Sequence, residues 1–79
     1  MNKKERQNEL ETLGETISRL RKIRGISLEK LAYEMDISKG NLSDIEHGKK
    51  NPTYTTLKKI AEGLELPLSK LLIEIEGHK

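Results

Sequence analysis

The segment from Ser27 to His47 constrains the fold more than any other part of this chain. A first set of apolar residues has the i, i+3, i+4, i+7 spacing of one helical face: Leu28, Leu31, Ala32 and Met35. A second set follows after a short break: Ile37, Leu42 and Ile45. Ser38 lies where its side chain can cap a new helix. Since only a tight turn fits between the two sets, the spacing predicts two short helices lying almost end to end.

Composition excludes several classes of protein. The 79 residues include no cysteine, which removes disulfides and thiolate metal sites. His47 and His78 lie far apart in sequence and lack the paired spacing of a zinc site. The longest apolar run, residues 71–73, is too short to cross a bilayer, and the charged N-terminus has no apolar signal segment. We therefore expect one soluble, cytoplasmic domain without a metal, a cofactor or a membrane partner.

The charge distribution is compatible with a polyanionic partner. The net charge is only +2, but residues 1–25 carry seven Lys and Arg against four Glu. The only aromatic residues are Tyr33 and Tyr54, which argues against proteins that stack unpaired bases on aromatic side chains. The chain has no Ser-His-Asp or Cys-His set and no phosphate-binding glycine loop, so we do not expect an enzyme.

Capping residues and apolar periodicity divide the chain into five helices. Residues 1–11 are almost wholly polar and are expected to form a flexible N-terminal arm, with a frayed helical extension as the alternative for residues 1–8, followed by one domain over residues 12–76. Thr12 and Glu15 have the spacing of a capping box, which predicts that the first helix begins at Thr12 and ends before Gly25. The other helices are expected at 28–35, at 39–47, after the cap at Thr53, and at 67–75. Since no period-two alternation is sustained, the fold is expected to be all-α.

Six groups of residues carry a further resemblance. They read Leu13-Gly14-x-x-Ile17-x-x-Leu20-Arg21-x-x-Arg24-Gly25-Ile26-Ser27, then Leu31-Ala32 and Ile37-Ser38, then Leu42-Ser43-x-Ile45-Glu46-x-Gly48-Lys49-x-Asn51-Pro52, then Leu57-x-x-Ile60-Ala61-x-x-Leu64, and finally Leu71-Leu72. With this spacing the chain resembles the Cro/CI-type (XRE-family) helix-turn-helix DNA-binding domain. The resemblance implies a five-helix, lambda-repressor-like fold, with the helix-turn-helix at helices two and three. Leu28 and Asp36 depart from the family, which usually carries glutamine and glycine at these positions.

The resemblance also implies how the domain would contact DNA. Helix three, Lys39–His47, is expected in the major groove, where its first residues face base edges. The implied base contacts are Lys39, Gly40, Asn41 and Asp44. Arg21 and Glu46 are expected to form an ion pair that is mainly structural. An alternative interpretation is that the four residues are only solvated positions of an amphipathic helix.

Phosphate contacts are expected from polar groups that flank helix three. The candidates are Tyr33, Ser38, Ser43, His47, Lys49, Lys50 and Tyr54. For each tyrosine, a partly buried ring is an equal alternative. His47 fits either a cap or a phosphate neighbour. Lys3, Lys4 and Arg6 in the arm fit either DNA contacts or a solvated tail.

Helix five carries more apolar surface than a short terminal helix needs to cover a core. Its apolar residues predict a homodimer interface: Leu68, Leu71, Leu72, Ile73 and Ile75. A two-fold dimer would place two recognition helices about 34 Å apart and would bind a palindromic operator. We therefore expect a dimeric, nucleoid-associated, prokaryotic or phage transcriptional regulator of the repressor type. The alternative is an antitoxin-like protein-interaction module whose DNA binding is secondary.

Overall fold

Five α-helices make up the described part of the chain, in which there is no strand. The computed structural model describes the backbone of residues 3–77 and the side chains of residues 5–77. In chain order the helices are α1 (Lys3–Arg24), α2 (Leu28–Glu34), α3 (Lys39–Glu46), α4 (Tyr54–Gly63) and α5 (Leu68–Glu76). The expected all-α fold is confirmed. Within residues 3–77 no helix combines the length and apolarity that a membrane span requires.

Side-chain caps define the start of the three middle helices. Each predicted cap accepts a hydrogen bond from a backbone N–H three residues later: Ser27 from Lys30 at 3.0 Å, Ser38 from Asn41 at 3.1 Å, and Thr53 from Thr56 at 3.2 Å. Gly25 and Gly48 follow α1 and α3 with φ values of 80° and 73°, the left-handed geometry that ends a helix. Local sequence therefore explains where α2, α3 and α4 begin.

The turn between α2 and α3 depends on one strained residue. Asp36 has a φ of 55°, a left-handed value that aspartate tolerates better than most residues. The Ile37 N–H donates to the Ala32 carbonyl oxygen at 2.9 Å and closes the turn. Lys59 of α4 donates to the Asp36 carbonyl oxygen at 3.4 Å. The departure from glycine at Asp36 is thus accommodated, and the two helices keep a fixed angle.

The core lies between the helix-turn-helix and the other three helices. Its buried apolar residues come from all five helices and the connecting turn: Ile17, Leu31, Ala32, Ile37, Leu42, Ile45, Ile60, Ala61, Leu64 and Leu71. Ala32 is 3% exposed, which leaves no room for a larger side chain where α2 meets its neighbours. Burial of α3 residues in this core holds the helix by its inner face.

The expected start of the first helix at Thr12 is wrong. Helix α1 begins at Lys3, so Thr12 lies within the helix and caps nothing. A tertiary contact accounts for the difference: the Gln7 side-chain amide donates to the Gly48 carbonyl oxygen at 3.1 Å, and Glu11 packs against Gly48. The described part of the predicted flexible arm, residues 3–11, is therefore helical. Residues 1 and 2 and the side chains of Lys3 and Lys4 lie outside the described part of the structure.

Three details of α1 and α5 differ from what the sequence pattern indicates. The helical spacing of Leu13, Ile17 and Leu20 would allow Ile23 to extend the buried face of α1, but Ile23 is 72% exposed. Pro67 precedes α5 rather than opening it, and α5 runs from Leu68 to Glu76. Leu71, expected in a dimer interface, is 0% exposed and belongs to the core. Because Leu71 already packs within its own chain, it has no surface to offer a partner.

Candidate nucleic-acid interface

Helix α3 presents one face to solvent and buries the other. Leu42 and Ile45 are each 0% exposed, and Glu46 is 9% exposed. The solvent face consists of Lys39, Gly40, Asp44 and His47, with Asn41 and Ser43 half-buried beside it. A capped helix with a free outer face on a rigid domain has the form of an element that enters a groove.

Arg21 and Glu46 fix the C-terminal end of this helix against α1. The Arg21 Nε donates to Glu46 Oε2 at 2.7 Å, and its second terminal nitrogen donates to Glu46 Oε1 at 3.0 Å. A third hydrogen bond, of 2.9 Å, joins Arg21 to the Ile26 carbonyl oxygen. The hydrogen bond that Arg21 donates to Glu46 raises the pKa of Arg21 and outweighs burial, which acts in the opposite direction. Arg21 therefore stays charged, and its contact with Glu46 orients α3 without facing solvent.

Gly14 brings α1 and α3 into direct backbone contact. A Cβ atom at Gly14 would overlap the Ile45 carbonyl oxygen and would lie 2.5 Å from the Glu46 carbonyl oxygen. The close approach places the end of α3 on the middle of α1. Together with the Arg21–Glu46 pair, it makes α1 the support of the candidate recognition helix.

The four residues predicted to contact bases occupy the outer side of α3. Lys39 opens the helix with its side chain 66% exposed. Gly40 and Asp44 are exposed, and Asn41 is half-buried. A Cβ atom at Gly40 would meet no other atom within 4 Å, so the backbone there is open to an approaching molecule. The structure thus brings the four residues to one exposed face.

Ser38 and the two tyrosines keep groups available for phosphate. The Ser38 hydroxyl oxygen accepts from the Asn41 N–H, which leaves its own proton free to donate. Tyr33 is 88% exposed, so the alternative of a partly buried ring is wrong for this residue, and Tyr54 is 63% exposed. Lys58 lies over the Tyr54 ring, with its Nζ 5.7 Å from the ring centroid.

His47 is held by the helix it follows. Its Nδ1 lies 2.7 Å from the Ser43 carbonyl oxygen. A carbonyl oxygen only accepts, so Nδ1 carries the proton in this contact, and Nε2 of the neutral ring is an acceptor. Nε2 could therefore act as a hydrogen-bond donor only in the imidazolium form. The contact between Nδ1 and the Ser43 carbonyl oxygen caps the end of α3, which is one of the two interpretations offered for His47.

The loop after α3 carries two lysines, and hydrogen bonds to the last turn of α3 hold the backbone where this loop begins. The Lys49 N–H donates to the Asp44 carbonyl oxygen at 2.8 Å, and the Gly48 N–H donates to the Ile45 carbonyl oxygen at 3.2 Å. These are the two hydrogen bonds of a Schellman motif. Lys49 and Lys50 are both exposed. The two hydrogen bonds place both lysines directly after the end of α3.

Only part of the predicted dimer surface is exposed. Leu72 is 41% exposed and Ile73 is 64% exposed, whereas Leu68 and Ile75 are half-buried against the core. Leu72 and Ile73 are therefore the exposed large apolar residues of α5. The ion pair between Arg19 and Glu74, at 3.2 Å, borders them and ties α5 to α1.

Two residues make contacts near the candidate interface that no pattern in the sequence predicts. Glu29 of α2 forms an ion pair with Lys39, with Glu29 Oε2 3.0 Å from Lys39 Nζ. Gln7, from the expected arm, binds the carbonyl oxygen of Gly48 immediately before Lys49. Both contacts join residues that no helical spacing relates, so only the folded chain shows them. Among residues 3–77 no group of three or more His, Asp or Glu side chains is arranged to hold a metal ion.

The fold and this exposed helix define a helix-turn-helix protein, and the family comparison agrees. A family model described as "Helix-turn-helix domain" matches residues 14–75. The chain therefore belongs to the helix-turn-helix domain family of DNA-binding transcriptional regulators, which are not enzymes. The expected Cro/CI-type (XRE-family) resemblance is confirmed.

Particular relatives share this domain. The chain is 43% identical over 60 residues to the HTH-type transcriptional regulator SutR of Escherichia coli K12, covering 76% of this chain and 34% of SutR. It is 38% identical over 64 residues to the control protein C.MunI of a Mycoplasma species, covering 80% of this chain and 86% of C.MunI. The crystal structure of the restriction-modification controller protein C.AhdI of Aeromonas hydrophila matches with a TM-score of 0.78, 25% identity and coverage of 81% of this chain and 97% of that one. The chain thus spans about a third of SutR but most of the two controller proteins.

Proposed function

We propose that this chain represses transcription as a homodimer that binds a palindromic operator, with α3 in the major groove. The observation that carries the proposal is the arrangement of α3, whose outer face is exposed while its inner face is buried and braced by Arg21. Such a helix can enter a groove as a rigid body. A protein bound across a promoter would exclude other proteins from the same DNA, which is the simplest route to repression. Binding to chromosomal DNA would also place the chain on the nucleoid.

Base recognition is assigned to the first turn of α3. Lys39 can donate to O6 and N7 of guanine, and Asn41 can make a paired contact with N6 and N7 of adenine. Asp44, one turn further along, can accept from N4 of cytosine. Gly40 offers no side chain, and its open backbone would allow close approach to the DNA.

Phosphate contacts are assigned to the groups on either side of this turn. The free hydroxyl proton of Ser38, the exposed phenols of Tyr33 and Tyr54, and the ammonium groups of Lys49 and Lys50 can all donate to phosphate oxygens. Ser43 and the imidazolium form of His47 complete the set. These contacts would position the domain on any duplex and would make its binding depend on salt.

Lys39→Ala and Asn41→Ala test the base assignments. Each variant is expected to lower the affinity for a duplex selected by the wild-type chain by roughly 5- to 150-fold, equivalent to about 1–3 kcal/mol per lost base contact. Fluorescence anisotropy titrations with labelled duplexes would measure this loss. Asn41→Ala should bind a shuffled duplex like the wild type, because it removes no phosphate contact.

Lys70→Ala is the matched control for Lys39→Ala, since Lys70 is an exposed lysine on α5 and its loss changes the net charge equally. It should bind the selected duplex within about twofold of the wild type, as expected of a charge away from the interface. If neither Lys39→Ala nor Asn41→Ala weakens binding to the selected duplex, the base assignments are incorrect.

A dimer would use the exposed apolar residues of α5. Leu72 and Ile73 are both exposed, and apolar residues that lie near a two-fold axis can pack against the same residues of a second copy. Leu68 and Ile75 can contribute only their exposed edges. Leu71 is excluded because it is buried in its own chain.

Ile73→Glu is expected to convert the dimer to a monomer, because two carboxylates would face each other across the axis. Affinity for a duplex with two half-sites should fall by roughly 100-fold or more, since the second contact is no longer intramolecular. Sedimentation equilibrium would give the oligomeric state. Ile23→Glu is the matched control, because Ile23 is 72% exposed on α1 rather than α5 and should leave the dimer intact. A wild-type monomer, or a dimer that survives Ile73→Glu, would contradict this interface and favour a different protein partner for Leu72 and Ile73.

A further inference from the structure

The first turns of α2 and α3 are joined by an ion pair in the candidate interface. Glu29 Oε2 of α2 lies 3.0 Å from the Nζ of Lys39, the first residue of α3. The two side chains are 61% and 66% exposed, respectively. An exposed pair of this kind adds little to stability. Its interest lies in its position, because it engages the lysine that opens the candidate recognition helix.

The carboxylate of Glu29 is held in its charged form. It accepts a hydrogen bond from its own backbone N–H and another from Lys39, and these lower the pKa of Glu29. The start of α2 therefore carries a fixed negative charge beside Lys39.

This charge affects phosphate and base contacts differently. The ammonium group has three N–H donors, of which Glu29 engages one and leaves the others for acceptors such as O6 and N7 of guanine. A guanine edge is neutral and can approach while the pair stays formed. A phosphate carries a full negative charge, so it must either approach the Glu29 carboxylate closely or displace it from Lys39.

We propose that Glu29 is a specificity-determining residue that positions Lys39 for a base edge and disfavours its use as a general phosphate contact. Glu29 acts through Lys39 and need not touch the DNA. The inference rests on the proposed function, in which α3 lies in the major groove. The role proposed for Glu29 would explain how the domain binds its selected duplex in preference to the excess of other DNA.

Glu29→Gln tests this role, because it keeps the size of the side chain and removes the charge. We would titrate the wild type and the variant with two labelled duplexes, one selected by the wild type from a random pool and one shuffled sequence of the same composition. Affinity of the variant for the shuffled duplex is expected to rise by roughly fivefold, while affinity for the selected duplex changes by less than about twofold. The slope of log K against log salt for the shuffled duplex should steepen by about one as Lys39 engages phosphate.

Two comparisons isolate the effect of Lys39. Glu34→Gln changes the net charge equally at an exposed position of the same helix, and it should bind both duplexes within about twofold of the wild type. In a Lys39→Ala background, Glu29→Gln should no longer raise affinity for the shuffled duplex. If Glu29 affected only the stability of the fold, Glu29→Gln would change neither the salt slope nor the ratio of the affinities for the two duplexes.

Three outcomes would overturn the inference. Equal changes on both duplexes, or no difference between Glu29→Gln and Glu34→Gln, would show that Glu29 does not affect discrimination. An effect that persists without Lys39 would show general charge repulsion in place of positioning. In these cases the wild type still binds its selected duplex and the proposed function stands, whereas a wild type that binds neither duplex would overturn both.

Discussion

Replacing Glu46 with glutamine is expected to lower the free energy of unfolding by about 3–5 kcal/mol, the largest effect of any single change considered for this chain. Arg21 is 9% exposed and donates to both carboxylate oxygens of Glu46. Without the carboxylate, Arg21 would be left as a buried and uncompensated charge. Urea denaturation followed by circular dichroism would measure the loss, which is a large fraction of the stability of a small domain.

Glu74→Gln is the matched control for Glu46→Gln. It removes the same group from an arginine partner, but the Arg19–Glu74 pair is 41% and 45% exposed. The expected loss is below about 1 kcal/mol. The double variant Arg21→Met with Glu46→Met should recover most of the stability lost by Glu46→Gln, since it leaves no buried charge. Equal losses in Glu46→Gln and Glu74→Gln would contradict the role assigned to the buried pair.

Gly14→Ala is expected to lower the free energy of unfolding by about 3 kcal/mol, at the upper end of overpacking effects. The added Cβ would overlap the carbonyl oxygens of Ile45 and Glu46. These are backbone atoms, so the strain can be relieved only by moving α1 away from the end of α3. Urea denaturation measures the destabilisation. DNA affinity of the folded fraction should fall as well, because the displacement tilts the recognition helix.

Gly40→Ala is the control for Gly14→Ala within the same chain. A Cβ atom at Gly40 meets nothing within 4 Å, and alanine in a helix interior is favoured over glycine by about 0.5–1 kcal/mol. We therefore expect Gly40→Ala to stabilise the domain. If it also weakens binding to the selected duplex, the backbone at Gly40 lies close to the DNA. A Gly14→Ala variant as stable as the wild type would contradict the close packing of α1 on α3.

Features encoded by neighbouring residues were predictable from the sequence. Ser27, Ser38 and Thr53 cap the helices that follow them, because a cap depends on a side chain and an amide three residues apart. Gly25 and Gly48 end α1 and α3 for an equally local reason. The partnership of Arg21 with Glu46 came from the family resemblance, since no spacing rule relates residues on different helices.

Features that depend on tertiary packing were not predictable. The polar sequence of residues 3–11 has no apolar face, and its helix depends on the contact between Gln7 and Gly48 across the fold. Periodicity places Leu71 and Leu72 on neighbouring positions of one apolar helix, and only packing decides that Leu71 is buried and Leu72 exposed. The pair of Glu29 with Lys39 likewise depends on the angle at which α2 and α3 meet.

Selection of bound DNA from a pool of random duplexes tests the central claim most directly. A dimer with one α3 in each of two major grooves predicts enrichment of an inverted repeat, with half-site centres about 10 base pairs apart. The enriched half-site should be bound less tightly by Lys39→Ala and by Asn41→Ala than by the wild type. A pool that shows no enriched sequence after repeated rounds, or binding that does not weaken with salt, would contradict the account.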